Sequence, residues 1–331
     1  MEAPHTTYPD YPDRLRDFAA AMRDDADRLD SDGTLLGEWY GRFVGTNLHT
    51  GWSPRQPLSG REFCEALAIL AETSGAFGFV ALQQFVANAN LAGKVSDRDS
   101  WPIAGVAFGH LRNPSGPAPR WDGHSVDGMV PWMTGAGLFP QVVLGMRGPG
   151  NEEIYALADA TDRDSFRHSA PMDLIAGSGM RTVSVRLSGM PMTADTVLKT
   201  EPPGTMQRND VQGVLYQTPL MVGCVRASRA LIRVSPRVGS AERARCEAET
   251  ERLLQRVYTA FEGCTPEEGQ QLRAELGDLS VRLGRLAVMA SGGVGILRSH
   301  HAQRLYREAL LYSVMAQTDA IVNQAFQEVF P

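Results

Sequence analysis

Apolar and polar positions change texture twice along the chain. Over 11–29, Leu15, Phe18, Ala19, Met22 and Ala26 recur at helical spacing with Arg and Asp opposite, which predicts one amphipathic helix. A broken stretch follows around Gly51-Trp52-Ser53-Pro54. Ser59 then stands as an N-cap before Phe63, Leu67, Leu70 and Ala71, a second helix. Past an interruption at Ser74-Gly75, residues 79–91 are almost wholly apolar, so that helix is expected to lie between others. Residues 1–97 read as an α-helical domain.

From 98 to 200 the apolar runs shorten and Gly, Pro and Asp separate them. The runs 101–108, 124–133, 141–146, 153–158 and 182–187 have strand length, and Asp127-Gly128 carries the composition of a hairpin turn. Several short strands at this spacing imply a small barrel or sandwich. Glu201-Pro202-Pro203-Gly204 reads as a linker. Beyond it, residues 205–331 return to helical periodicity. Thr265-Pro266-Glu267-Glu268 is a capping box with Pro at the first helical position. Leu272, Leu276, Leu279, Leu283 and Leu286 follow at spacings of four and three, the pattern of a bundle seam. With helices expected over 214–233, 241–262 and 302–328, this makes a four-helix bundle. The fold class is mainly α with a central β domain.

Composition narrows the function classes. The chain has 331 residues, enough for two or three packed units, with 43% hydrophobic and 21% charged residues, as in ordinary globular proteins. No apolar run approaches the length of a membrane span and no apolar leader opens the chain, so the expectation is a cytoplasmic protein without a membrane partner. A net charge of −6 argues against nucleic acid. Cys64, Cys224, Cys246 and Cys264 lie far apart with no Cys-x-x-Cys, which predicts buried thiols in a reducing compartment, and neither a disulfide frame nor a metal site is expected. His300-His301 is the one histidine cluster and reads as a solvated pair.

The candidate chemistry lies near the C-terminal end. Ser291-Gly292-Gly293-Val294-Gly295 precedes a helix carrying Arg304, Arg307 and Glu308, and Gln317-Thr318 follows. Glycines there let a backbone approach a ligand closely, and a helix start is a ready anion site. In this order, Gly-Gly-x-Gly, Arg-x-x-Arg-Glu and a later Thr resemble the C-terminal motifs of the acyl-CoA dehydrogenase superfamily. Asp127-Gly128-Met129-Val130-Pro131-Trp132-Met133-Thr134-Gly135-Ala136 is similar to that family's middle-domain run, and residues 187–198 to the strand leaving the middle domain. The resemblance covers most of the chain, as a divergent and shortened member. It implies an N-terminal helical bundle, a small β barrel and a C-terminal four-helix bundle.

The resemblance also implies FAD. Trp132 would pack on the isoalloxazine ring with Thr134 hydrogen-bonding to it, and Ser115 would belong to the flavin-contacting turn. Gly292, Gly293 and Gly295, with Gln317 and Thr318, would serve the pyrophosphate and adenine end across a subunit interface, hence a homo- or hetero-oligomer. The family's reaction needs a carboxylate near the α-carbon of an acyl thioester. Its two glutamate positions fall on Ala316 and Gly213, leaving Asp319 and Asp210 as the nearby carboxylates. The Arg-x-x-Phe-Gly motif is absent, with Ile232-Arg233-Val234-Ser235-Pro236 in its place, and Met289 replaces the Gln before the glycine loop. Three functions follow: an acyl thioester oxidoreductase, here one subunit of a mixed assembly that supplies the base; a flavin-dependent monooxygenase of the related hydroxylase branch; or a flavin-free member acting as a structural subunit, acyl-binding module or cofactor-independent enzyme.

Overall fold

Local capping and burial set most helix boundaries in the computed structural model, which describes residues 10–50, 58–91, 94, 101–315 and 317–329. The break expected around Gly51 to Pro54 lies outside the described residues. The helix expected over 11–29 is instead α1 (Tyr11–Ala21) and α2 (Ala26–Leu29) joined by a 3-10 turn, Arg23–Asp25. Asp24 and Asp25 are poor helix formers, and the Asp25 carboxylate accepts the Trp39 indole N–H at 3.0 Å. In α3 (Gly33–Gly45), Asp32 caps the amides of Thr34 and Leu35. Ser59 and Glu62 form a capping box on α4 (Gly60–Thr73), and α5 (Gly75–Leu91) is buried on nearly every side, as its apolar run requires.

Among the described residues the strands are β1 (Ala104–Ala107), β2 (Arg120–Trp121), β3 (Ser125–Met133), β4 (Gln141–Arg147), β5 (Glu153–Asp159), β6 (Phe166–His168), β7 (Val183–Pro191) and β8 (Val197–Glu201). They form one sheet in the order β6-β7-β3-β2-β4-β5-β8, with β1 parallel to β4. The sheet curls around its own core of Val126, Val130, Leu144, Ile154, Phe166 and Val185, in the manner of a barrel. Asp127-Gly128 is not the hairpin turn. It lies inside β3 at a register shift against β7, with Gly128 at φ +132°, so its composition serves a bulge. The hairpin turns at Asp122-Gly123, where Asp122 accepts the amides of His124 and Ser125 at 2.9 and 2.8 Å.

Six helices follow: α6 (Thr205–Gln212), α7 (Pro219–Val234), α8 (Ser240–Ala260), α9 (Pro266–Ser291), α10 (His301–Ser313) and α11 (Asp319–Val329). The segment expected as one helix over 302–328 is split between α10 and α11. Arg273 of α9 donates to the carbonyls of Tyr312 (2.7 Å) and Met315 (2.9 Å), satisfying the end of α10, and Thr318 caps α11. The expected helix at 214–233 opens as a 3-10 turn and becomes α-helical only at Pro219. Along α9, Leu272, Leu276, Leu279 and Leu283 are buried, but Leu286 is exposed and leaves the seam. The Pro266–Ile296 stretch has the length and hydropathy of a membrane span, and the buried leucines account for that as a core helix. One continuous core joins the N-terminal helices to the C-terminal bundle, with α4 lying on α7. Ala87 and Leu91 of α5 pack with Ala104, Phe108, Val143 and Tyr155 to seat the sheet against these helices.

Candidate functional site

The Arg-x-x-Arg-Glu motif of α10 faces inward. Arg304 donates to Glu308 (2.6 Å), to Asp27 (2.7 Å) and to the carbonyl of Thr73 (2.9 Å). Arg307 pairs with Asp30 and donates to the carbonyl of Ile175 at 2.9 Å. Asp30 in turn accepts the amide of Gly177 at 2.6 Å. Four segments far apart in sequence meet here: α2 and its flank, the end of α4, the loop before β7, and α10. Such a buried, fully engaged pair of arginines ties these segments together. The histidine pair is half-buried and engaged. His300 accepts the Ala302 amide as the N-cap of α10, and His301 meets Asp27 at 3.0 Å.

Ahead of α10, the glycine loop takes the form of a 3-10 turn, Gly292–Ile296. Gly292 has φ +71°, Gly295 is buried, and no atom lies within 4 Å of where a Cβ on Gly293 would stand. An arginine does lie beside this loop. A Cβ on Gly292 would lie 2.9 Å from Cζ of Arg237, whose exposed side chain makes no hydrogen bond or ion pair among the described residues. Arg237 follows Ser235-Pro236 in the shortened connection, so motif spacing could not find it. It also lines a groove of about 850 Å3 between α8 and α9, floored by Ile232, Leu279, Leu283 and Met289.

On the sheet side, Trp132 is 59% exposed and so is no core aromatic. Between Val130 and Met133, β3 advances three residues while β7 advances two, from Val185 to Val183, and this bulge carries Pro131 and Trp132. Trp132 therefore stands in a bulge, not on a regular strand. Thr134 lies beyond the end of β3, buried, with its hydroxyl 3.1 Å from that of Thr182. Ser115 is exposed in the turn after the 3-10 segment Gly109–Arg112, its amide bonded to the Asn113 side chain at 3.1 Å.

The candidate carboxylates are not arranged as a base. Asp210 on α6 pairs with Arg112; burial pushes its carboxyl up, with the guanidinium opposing. Asp319 is exposed in the first turn of α11. Gly213 closes α6, and a side chain there would stand 3.1 Å from the Asn209 carbonyl. Ala316 lies outside the described residues. Gln317 bonds the Ser313 carbonyl at 3.2 Å, and Thr318 is spent on the α11 cap. Among the described residues no group of three His, Cys, Asp or Glu side chains could hold a metal ion.

No protein-family model matches the sequence, and no curated protein matches it either. Solved structures do match. FkbI, described as acting in biosynthesis of the methoxymalonyl extender unit of the Fk520 polyketide, superposes with a TM-score of 0.77 at 16% identity, over 96% of this chain and 99% of that one. Butyryl-CoA dehydrogenase from Megasphaera elsdenii gives 0.75 at 13% identity over 100% of both chains. The dibenzothiophene monooxygenase TdsC from Paenibacillus, also solved with FMN and indole, gives 0.69 at 16% identity over 97% of this chain and 96% of that one. The chain has the acyl-CoA dehydrogenase-like fold: N-terminal helices, a central barrel-like sheet and a C-terminal helical bundle.

Proposed function

We propose that the chain is a flavin-dependent oxidoreductase in which oxygenation, rather than α,β-dehydrogenation of a thioester, is the reaction of the isolated protein. The carrying observation is the pair Trp132 and Arg237: an indole turned out of the sheet by a bulge, and a guanidinium without a partner among the described residues, set against Gly292. A flavin ring needs an aromatic or apolar surface, and a dinucleotide's pyrophosphate needs a cation beside open backbone. These residues fit both needs, and the 850 Å3 groove beside Arg237 has the size of a small-molecule pocket with an apolar floor. The cofactor is FAD on this reading. Bound there, it would supply two-electron transfer.

The chain's own residues then divide the work. Trp132 would stack on the ring, with Ser115 in the turn nearby. One hydroxyl of the Thr134–Thr182 pair must donate to the other, which leaves a second hydroxyl hydrogen for a ring heteroatom. Arg237, Gly292, Gly293 and Gly295 would hold the anionic end. Val234, Leu286, Met289, Val294, Ile296 and Leu297 are all exposed around that loop, which supports an oligomer whose neighbour covers them. Proton abstraction is where the site departs from dehydrogenation. Asp210 is tied to Arg112 and Asp319 faces solvent, so neither is poised as a general base.

The second reading is thioester dehydrogenation in a mixed assembly whose partner brings the base. The full-length likeness to butyryl-CoA dehydrogenase favours it. Purified protein loaded with FAD separates the readings. Turnover that requires an external reductase and oxygen supports the first; bleaching of the flavin by acyl-CoA without oxygen supports the second. A chain that stays colourless after reconstitution with either FAD or FMN overturns both and leaves the flavin-free role.

A further inference from the structure

A cleft of about 540 Å3 opens on the sheet beside the loop 134–140. Leu138, Phe139, Pro140, Pro171, His168 and Arg181 are among its walls. Arg181 is unusual in its backbone and in its charge. Its φ of +52° and ψ of +56° are left-handed, a region that side-chain-bearing residues occupy only when their surroundings impose it. The imposition is visible: the Arg181 carbonyl accepts the Ala136 amide at 3.2 Å, and the Met180 carbonyl accepts that of Gly135 at 2.9 Å. The side-chain stem then runs over the start of α3, where a Cβ on Gly33 would lie 3.0 Å from its Cγ and Cδ. The guanidinium arrives near Gly137, 3.7 Å from the position of a Cβ there.

The backbone is held in this way, while the side chain is exposed and its guanidinium has no hydrogen bond or ion pair among the described residues. The one carboxylate lining the cleft, Asp162, is already engaged by the His168 amide at 3.0 Å and by Arg167 at 3.5 Å. His168 adds a ring whose Nε2 is buried without a partner. The free charge of the cleft is therefore positive. An arginine fixed in a strained conformation, with five unused N–H donors, matches the planar oxyanion of a carboxylate or the tetrahedral one of a phosphate. Leu138, Phe139 and Pro171 give the opposite wall an apolar character.

We propose that this cleft binds an organic anion, its carboxylate or phosphate on the Arg181 guanidinium and its apolar body against Leu138, Phe139 and Pro171. We further assign that anion as the substrate, because the residue after Arg181 shares a hydrogen bond with the hydroxyl given to the ring above. Thr182 follows Arg181 directly, and its hydroxyl meets that of Thr134. The substrate assignment rests on the flavin reading above, whereas binding itself does not.

The test is calorimetric titration of the flavin-free full chain with benzoate, phenyl phosphate and, as a neutral control, benzyl alcohol. The expected result is binding of at least one anion and none of the alcohol. Arg181→Met should weaken it about ten- to a hundredfold, the loss of one charge-assisted contact, with Arg181→Lys between the two. Arg181→Gly relieves the left-handed strain, so its lost binding with retained circular dichroism separates recognition from misfolding. No heat with either anion, or undiminished binding by Arg181→Met, overturns the site. In flavin-loaded protein the bound anion should shift the flavin spectrum; binding without a shift overturns the substrate assignment alone. Failure to load flavin overturns the cofactor reading and is seen separately from the titration.

Discussion

Arg304 and Glu308 stand one turn apart on α10 and form an ion pair at 2.6 Å, with side chains only 1% and 2% exposed. The same Glu308 oxygen accepts the amide of Gly75 at 3.1 Å, so the pair also anchors the start of α5. Gly75 is required there, since a Cβ on it would lie 2.1 Å from the Tyr312 hydroxyl and 2.5 Å from Glu308 Cδ. Removing one member of such a pair leaves the other charge buried. Glu308→Leu should therefore cost about 3–5 kcal/mol in urea unfolding. Arg304→Met combined with Glu308→Leu should cost clearly less than the sum of the singles. Strict additivity would show that the two side chains act independently.

Asp27 links this cluster to pH. Burial raises its carboxyl, but the hydrogen bond with His301 and the Arg304 guanidinium outweigh that and hold it at about 2, against an ordinary 3.8. Because the folded value is the lower one, the contribution to stability is complete above the ordinary value. It is lost as pH falls from there toward about 2. Asp27→Asn should flatten that acid limb. Urea midpoints measured at closely spaced pH values for both proteins provide the check, and parallel acid limbs would remove Asp27 from the account.

The parts of this fold that read correctly from sequence are those decided by near neighbours. Ser59 with Glu62, and Thr265 with Glu268, close capping boxes within four residues, and the helices start where those boxes say. What failed depends on distant partners. The split of the segment 302–328 is enforced by Arg273, some forty positions earlier. Asp127-Gly128 has hairpin composition, but pairing with β7 makes it a bulge. The site divides the same way. The glycine loop and Trp132 were legible as motifs, whereas Arg237 joins the loop only through the packing of α7 against α9. Arg304 and Arg307 showed their spacing but not their direction, which follows from Asp27 and Asp30 in α2 and its flank.

Trp132→Ala tests the ring face. At 59% exposure the indole contributes little to the core, so unfolding free energy should change by no more than about 0.5 kcal/mol. Flavin affinity should fall by up to about tenfold with the loss of stacking. Equilibrium dialysis with FAD, alongside urea unfolding, reads both quantities. A variant that retains flavin fully would place the ring elsewhere, and one that unfolds readily would make Trp132 a packing residue.

Ala316→Glu tests the missing base. In the family that the sequence resembles, a glutamate stands at this position and removes the α-proton of the thioester. A positioned general base contributes about a hundred- to ten-thousandfold, so the unmodified chain should bleach flavin very slowly, if at all, with acyl-CoA. The variant should gain about a hundredfold in that rate if flavin and thioester both bind. Anaerobic stopped-flow absorbance on flavin-loaded protein measures it. Rapid bleaching by the unmodified chain would mean that Asp210 leaves Arg112, or Asp319 turns inward, to act as base, and would restore dehydrogenation as the native reaction. An unresponsive variant that still retains flavin would keep oxygenation as the reaction and place the substrate away from the end of α10.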